Sequence, residues 1–170
     1  MSISKLSAGE KYPEEFNVVI EIPKGSRNKY EYDEELDIIK LDRVTYSAMA
    51  HPYDYGFIPG TRSEDGDHLD AFVILDTSVF PGCLVSARPV GVLDMIDDGE
   101  RDEKIIAVPV NDIRYSHISD IDQLTPHIKK EIQHFFEHYK DLQGKKVEIT
   151  SWGNREKAIE VMNASVESAK

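Results

Sequence analysis

The 170-residue sequence holds a single cysteine, Cys83, so no intrachain disulfide can form. That scarcity agrees with a reducing compartment. No apolar run approaches the roughly 20 residues that a membrane-spanning helix needs, and no membrane partner is expected. Met1–Leu6 lack the apolar core of a secretory leader, which together with the cysteine count predicts a cytoplasmic location. Positive charge is also scarce. Twenty Lys and Arg stand against 32 Asp and Glu, a formal net charge of −12. A phosphate backbone demands a basic surface, so nucleic acid is not expected as a partner. Internal repeats, low-complexity tracts and Gly/Ser linkers are missing too. The reading is one domain over residues 1–170, with residues 1–16 as an N-terminal arm containing a short helical stretch.

The chain is 40% hydrophobic and 31% charged, enough apolar material for one real core. Asn17–Ile22 reads as a strand stopped by Pro23-Lys24-Gly25-Ser26. Lys29–Asp33 and Asp37–Arg43 both alternate with period two, and Glu34-Glu35-Leu36 is short enough to join them as a hairpin. Further strands are expected over residues 71–75, Leu84–Asp94, Lys104–Val108 and Lys146–Thr150. Pro89 and Gly91 mark a bend or bulge in the long one. Thr125 and Pro126 open a helix whose stripe is Ile128, Ile132, Phe135, Phe136, Tyr139 and Leu142, closed by Gly144. Asn154 caps a second, with Ala158, Val161, Met162, Ser165, Val166 and Ala169 on one face. Short antiparallel strands followed by two helices predict a small closed or half-closed barrel with helices outside.

Three constellations carry the chemistry. Asp65-Gly66-Asp67-His68-Leu69-Asp70 crowds three carboxylates ahead of the apolar run Ala71–Leu75. Like charges this close repel, and their desolvation is costly without a cation. In an extended strand residues 67 and 70 point to opposite faces, so Gly66 must supply a turn. An EF-hand loop is a poor fit, because Asp70 stands at its sixth position, where Gly is required, and a strand flanks it. The second constellation is the acidic run Asp94–Lys104 between two strands. It reads either as a charged exposed loop or as further oxygen ligands, from Asp97 and Asp102, for hard cations. The third has the opposite sign. Lys29, Arg43, Lys104, Tyr139 and Lys140 offer the ammonium, guanidinium and phenolic donors that hold phosphate oxygens. Residues 51–57, His-Pro-Tyr-Asp-Tyr-Gly-Phe, line a pocket or pack the core.

In this order the segments resemble the soluble family I inorganic pyrophosphatases of prokaryotic type. The likeness runs from Glu21-Ile22-Pro23 through Lys29-Tyr30-Glu31, Asp42-Arg43, Pro52–Gly56, the Asp-x-Asp-x-x-Asp turn, Arg88–Leu93, Asp97–Lys104 and Phe135–Leu142 to Trp152. The resemblance implies a mainly β fold, a five-stranded OB-like closed barrel with two flanking helices in the C-terminal half. It implies hydrolysis of inorganic pyrophosphate to two phosphates, with several Mg²⁺ ions per site and direct attack of a metal-activated water. Asp65, Asp70, Asp97, Asp102 and Glu31 are then metal ligands, with Glu21 supporting Glu31. Asp67 is the general base. Lys29, Arg43, Tyr55, Lys104, Tyr139 and Lys140 bind phosphate oxygens. A homo-oligomer, a hexamer, is implied as well. Two positions depart from the family pattern: His68 stands where proline is usual, and His51 where an aromatic is usual. Both histidines are expected to act behind the ligands or at the surface.

Overall fold

The computed structural model describes residues 2–168, with side chains through Val166. Its strands are β1 (Phe16–Ile22), β2 (Asn28–Asp33), β3 (Ile38–Val44), β4 (Asp54–Phe57), β5 (Asp70–Val73), β6 (Leu84–Asp97), β7 (Glu100–Pro109) and β8 (Val147–Asn154). Helices α1 (Pro126–His138) and α2 (Arg155–Ser168) come late, and a short 3-10 turn at Ile3–Lys5 sits in the N-terminal arm. The main sheet runs β1-β4-β5-β7-β6-β8, and β1 also pairs with β6. Five strands therefore close into a ring and β8 extends it, while β2 and β3 form a separate hairpin. This matches the expected five-stranded closed arrangement with helices outside.

β6 makes the closure possible. Its first part, Leu84–Ala87, pairs with β1. Its second part, Gly91–Asp97, pairs with β8, and β7 follows it along most of its length. The register slips between Pro89 and Gly91, at the expected bulge, leaving Val90 as the extra residue. Ala87 and Val92 consequently belong to one buried cluster although five positions separate them. That cluster takes Phe16, Val18 and Ile20 from β1, Ala71 and Val73 from β5, Ile105 and Ala107 from β7, and Ala158 and Met162 from α2. The opposite sheet face carries Phe72, Leu93, Met95 and Ile106, covered by Ile132, Phe135 and Phe136 of α1. Period two in the strands and period 3.6 in the helices thus meet in two apolar layers.

Several boundaries differ from the sequence reading. β4 occupies residues read above only as pocket or core. β6 and β7 continue through the acidic run to a two-residue turn, Asp98-Gly99, where both φ angles are positive, 50° and 86°. That is the hairpin turn that Asp-Gly favours. β8 runs to Asn154, whose Oδ1 then accepts the Lys157 backbone N–H and caps α2. α1 ends at His138, so Leu142 falls in a 3-10 turn and is 70% exposed instead of completing the stripe. Ala169 lies outside the described residues.

Candidate active site

Strand pairing sets the acidic and basic side chains against one another. β5 and β7 are parallel, and Asp70 lies opposite Lys104. Two residues earlier on β7 is Asp102, on the same face. The Lys104 ammonium donates to Asp70 and lies 2.8 Å from Asp102 Oδ1. The Tyr55 hydroxyl of neighbouring β4 also donates to Asp70. On the far part of the β6–β7 hairpin, Asp97 accepts from Lys140 Nζ at 2.7 Å. Lys104 and Lys140 are both buried, and burial of such ions is tolerable only when they are paired.

The signature loop meets this wall from the side. Gly66 has φ 89°, the left-handed turn that the carboxylates required. The Ser63 N–H donates to the Asp67 carbonyl at 2.7 Å, and the Asp67 N–H to Asp65 Oδ1 at 2.9 Å. Asp67 faces a cavity of about 200 Å³ together with Glu21, Lys29, Glu31, Tyr55 and Asp70. Burial, then Asp65 and Asp70, then Glu31 raise the Asp67 carboxyl above the ordinary range. Burial also raises Asp102, with Asp70 and Asp65 acting in the same sense and Lys104 opposing. Glu21 is pushed up to about 8, by burial first and by Asp70 second, while its carboxylate accepts the Tyr32 N–H at 2.7 Å.

The β2–β3 hairpin closes the cavity from above. Lys29 and Arg43 are cross-strand partners. Lys29 contacts Glu31 and lies 3.7 Å from Asp42, which also holds Arg43 at 2.7 Å. A second, narrow cavity of about 30 Å³ adjoins the first. Lys29 and Tyr55 line both, and Arg43, His51 and Tyr139 line the smaller one beside Ile22, Thr45, Phe135, Phe136 and Gln143. Tyr139 stacks on Phe135 with ring centroids 4.9 Å apart, so the helix stripe fixes its hydroxyl end. Burial raises the Tyr139 phenol, Asp97 and Asp102 add to the rise, and Lys104 and Arg43 oppose it.

Thus Glu21, Lys29, Glu31, Tyr55, Asp67 and Asp70 share one cavity, and Arg43 and Tyr139 share its neighbour. Lys104, Asp102, Lys140 and Asp97 form the buried ion pairs beside them. Asp65 sits on the loop behind Asp67. Among the described residues no three His, Cys, Asp or Glu side chains already converge as a metal-holding group. The carboxylates are drawn instead onto Lys104, Lys140 and Lys29. The donor set nevertheless fits a hard cation: every candidate ligand is a carboxylate oxygen, and the raised Asp67 and Asp102 show crowding that positive charge relieves.

Three residues outside the expected site tie it together. Arg62 forms a two-point pair with Glu34 at 2.8 and 2.9 Å. His68 places Nε2 3.2 Å from Glu34, Nδ1 2.9 Å from the Thr61 carbonyl, and its ring 4.8 Å from that of Phe57. The tie fastens the signature loop to the tip of the β2–β3 hairpin. No spacing in the sequence announces it, since Glu34 and Arg62 are 28 positions apart. His51 is buried, and burial, then Lys29, lowers its imidazole to about 4 against a hydrogen bond with the Ser26 backbone.

The chain resembles known proteins over nearly its whole length. The inorganic pyrophosphatase family model matches residues 18–170. An inorganic pyrophosphatase of Nostoc sp. is 46% identical over 170 residues, covering 100% of both chains. That of Saccharolobus solfataricus is 50% identical over 169 residues, covering 98% of each. The crystal structure of inorganic pyrophosphatase from Thermus thermophilus superposes with a TM-score of 0.95 at 46% identity, covering 99% of both chains. The chain belongs to the inorganic pyrophosphatase family.

Proposed function

We propose that this protein is a Mg²⁺-dependent hydrolase that splits inorganic pyrophosphate into two phosphates by direct attack of water, with Asp67 as general base. The observation that carries this reading is the pairing of two adjoining cavities, one rich in carboxylates and one in cationic and phenolic groups. Acids alone would hold metal and repel the substrate. Bases alone would hold phosphate and activate no nucleophile.

Asp65, Asp70, Asp97, Asp102 and Glu31 would hold the Mg²⁺ ions, and Glu21 braces the Glu31 side through its hold on the hairpin at Tyr32. Bound Mg²⁺ supplies Lewis acidity toward the attacking water and neutralises charge on phosphoryl oxygens. Asp67 accepts the proton of that water. Its carboxylate faces the cavity beside Glu31 and Asp70, where that water would be held. Lys29, Arg43, Tyr55, Lys104, Tyr139 and Lys140 bind and orient the phosphate oxygens and stabilise the negative charge that develops on them. Lys104 and Lys140 exchange part of their hold on Asp70 and Asp97 for substrate. The phenol of Tyr55, now on Asp70, does likewise. The same resemblance extends to a cytoplasmic homohexamer, for which the exposed Leu36, Phe80 and Ile113 offer apolar surface to bury between copies.

The test measures phosphate release from pyrophosphate and from ATP, each with and without Mg²⁺. Wild type releases phosphate from pyrophosphate only when Mg²⁺ is present. Asp70→Asn raises the Mg²⁺ concentration required. Asp67→Asn lowers turnover at saturating substrate and metal by about 10²-fold. Release without Mg²⁺, or equal cleavage of ATP, overturns the reading of the activity. An Asp67→Asn enzyme with full turnover across pH overturns the role of that residue.

A further inference from the structure

We infer that Glu34 and Arg62 are positioning residues: their ion pair fastens the β2–β3 hairpin to the signature loop, and so holds Lys29 and Glu31 of the hairpin facing Asp67 and Asp70 across one cavity. The inference deepens the proposed function and rests on it, because that reading divides metal and phosphate binding between these two walls.

The hairpin needs a fastening. β2 and β3 pair only with each other and share no ladder with the six-stranded sheet. Side chains therefore set its place over the cavity. The Glu21 carboxylate accepts the Tyr32 N–H at 2.7 Å. The Tyr32 ring stacks on Phe57 with centroids 5.2 Å apart, and Phe57 stacks on His68 at 4.8 Å. These contacts hold β2 near its end. Glu34, just beyond, reaches across to the loop, where Arg62 Nη1 and Nη2 donate to its two oxygens at 2.8 and 2.9 Å. Two parallel bonds fix direction as well as distance. Glu34 lines the same cavity as Lys29, Glu31, Asp67 and Asp70, so the tie joins two of its walls.

Arg62 is a firm post. Its N–H donates to the Ser165 carbonyl of α2 at 2.9 Å. The preceding Thr61 is fully buried, and its hydroxyl donates to the Ile58 carbonyl and accepts the Leu69 N–H. The pair itself is not what folds the hairpin. The Arg62 and Glu34 side chains keep 32% and 52% of their surface in water. Such a pair biases an equilibrium by up to about fivefold. The β2–β3 connection also has its own anchor, Asp37, which accepts the Ser4 N–H at 2.8 Å and the Tyr32 hydroxyl at 2.9 Å. Losing the tie leaves a folded protein whose hairpin stands away from the loop for a larger share of the time.

Arg62→Met and Glu34→Gln break the pair with opposite changes in charge. Charge acting through space would strengthen Mg²⁺ binding in the first and weaken it in the second. A fastening weakens it in both, by about two- to fivefold in calorimetry. KM for pyrophosphate rises by a similar factor in both, while kcat stays within about twofold, because saturating ligand draws the hairpin back. The double variant loses no more than either single one. Arg62→Lys, which keeps the charge without the two-point grip, falls between. In the ligand-free proteins, hydrogen exchange at the Tyr32 N–H quickens in both single variants, and exchange in β7 does not change. Opposite shifts in the two variants, additive losses in the double one, or an unmoved Tyr32 amide overturns the inference. Unfolding of either single variant overturns it too, by making the pair a support of the fold. Pyrophosphate hydrolysis by wild type is assayed beside them. An inactive wild type refutes the proposed function, and Tyr32 exchange still decides the tie. An active wild type with an unmoved Tyr32 amide in the variants refutes the tie alone.

Discussion

The ring and the β2–β3 hairpin present the same charged groups to the site in two different solvents. On the ring, Lys104 is 4% exposed and bridges Asp70 and Asp102, and Asp97 is held by Lys140, 9% exposed, from the turn after α1. On the hairpin, the side chains of Lys29, Glu31, Asp42 and Arg43 keep between 28% and 41% of their surface in water. Water screens the hairpin pairs, which are worth about 0–1 kcal/mol each. The ring pairs are shielded, and removing one partner strands a buried charge. The ring therefore holds its groups in place before a ligand arrives. The hairpin can rearrange around the ligand without a large cost in stability.

The strongest way to break this contrast is Lys104→Met, which keeps the stem and deletes the ammonium between two carboxylates. Unfolding in urea should show a loss of about 3–5 kcal/mol. A loss below about 1 kcal/mol would place the ring and the hairpin in the same regime. Glu21 tests the border between the two regions, since it lies on β1 and holds the hairpin at Tyr32. Its carboxyl is raised from 4.5 to about 8 in the folded protein. The folded state thus binds a proton that the unfolded state has released. This contribution to stability is fully present below pH 4.5 and is lost as pH rises through about 8. Without Mg²⁺, wild type should lose stability across that window. Glu21→Gln, which cannot titrate, should flatten the profile, and an equal slope in both proteins would remove Glu21 as its source. Arg43→Ala should have the smallest effect on stability, under about 1 kcal/mol, while KM for pyrophosphate rises. A destabilisation as large as that of Lys104→Met would show that the hairpin is held as rigidly as the ring.

The parts of the site that lie close together in sequence were legible, and the parts joined by pairing were less so. The Asp65–Asp70 turn could be read because three carboxylates, a glycine and an apolar strand follow one another. The bulge at Pro89 and Gly91 had its signal in the same way. β4 escaped because Tyr53-Asp54-Tyr55-Gly56-Phe57 mixes strand formers with Asp and Gly behind a proline, and its partners β1 and β5 decide its state. The acidic run Asp94–Lys104 invited a loop reading, although Asp98-Gly99 already marked a tight hairpin turn. Leu142 fitted the helical period but lay past the point where α1 tightens into a 3-10 turn. The tie of Glu34, Arg62 and His68 depends on contacts between distant segments, which periodicity does not encode.

The extra residue in β6 has a consequence for how this chain can change length over generations. Surface connections absorb insertions and deletions readily, because few pairings depend on them. Removing Val90 would reverse the facing of every side chain from Gly91 to Asp97 relative to β1, sending Asp97 to the side of the Ala87–Val92 cluster and Val92 to the face covered by α1. One lost codon there would scramble two seams of the ring and the acidic edge together, so descendants of this sequence can vary in their loops but must keep the count between Ala87 and Asp97 fixed.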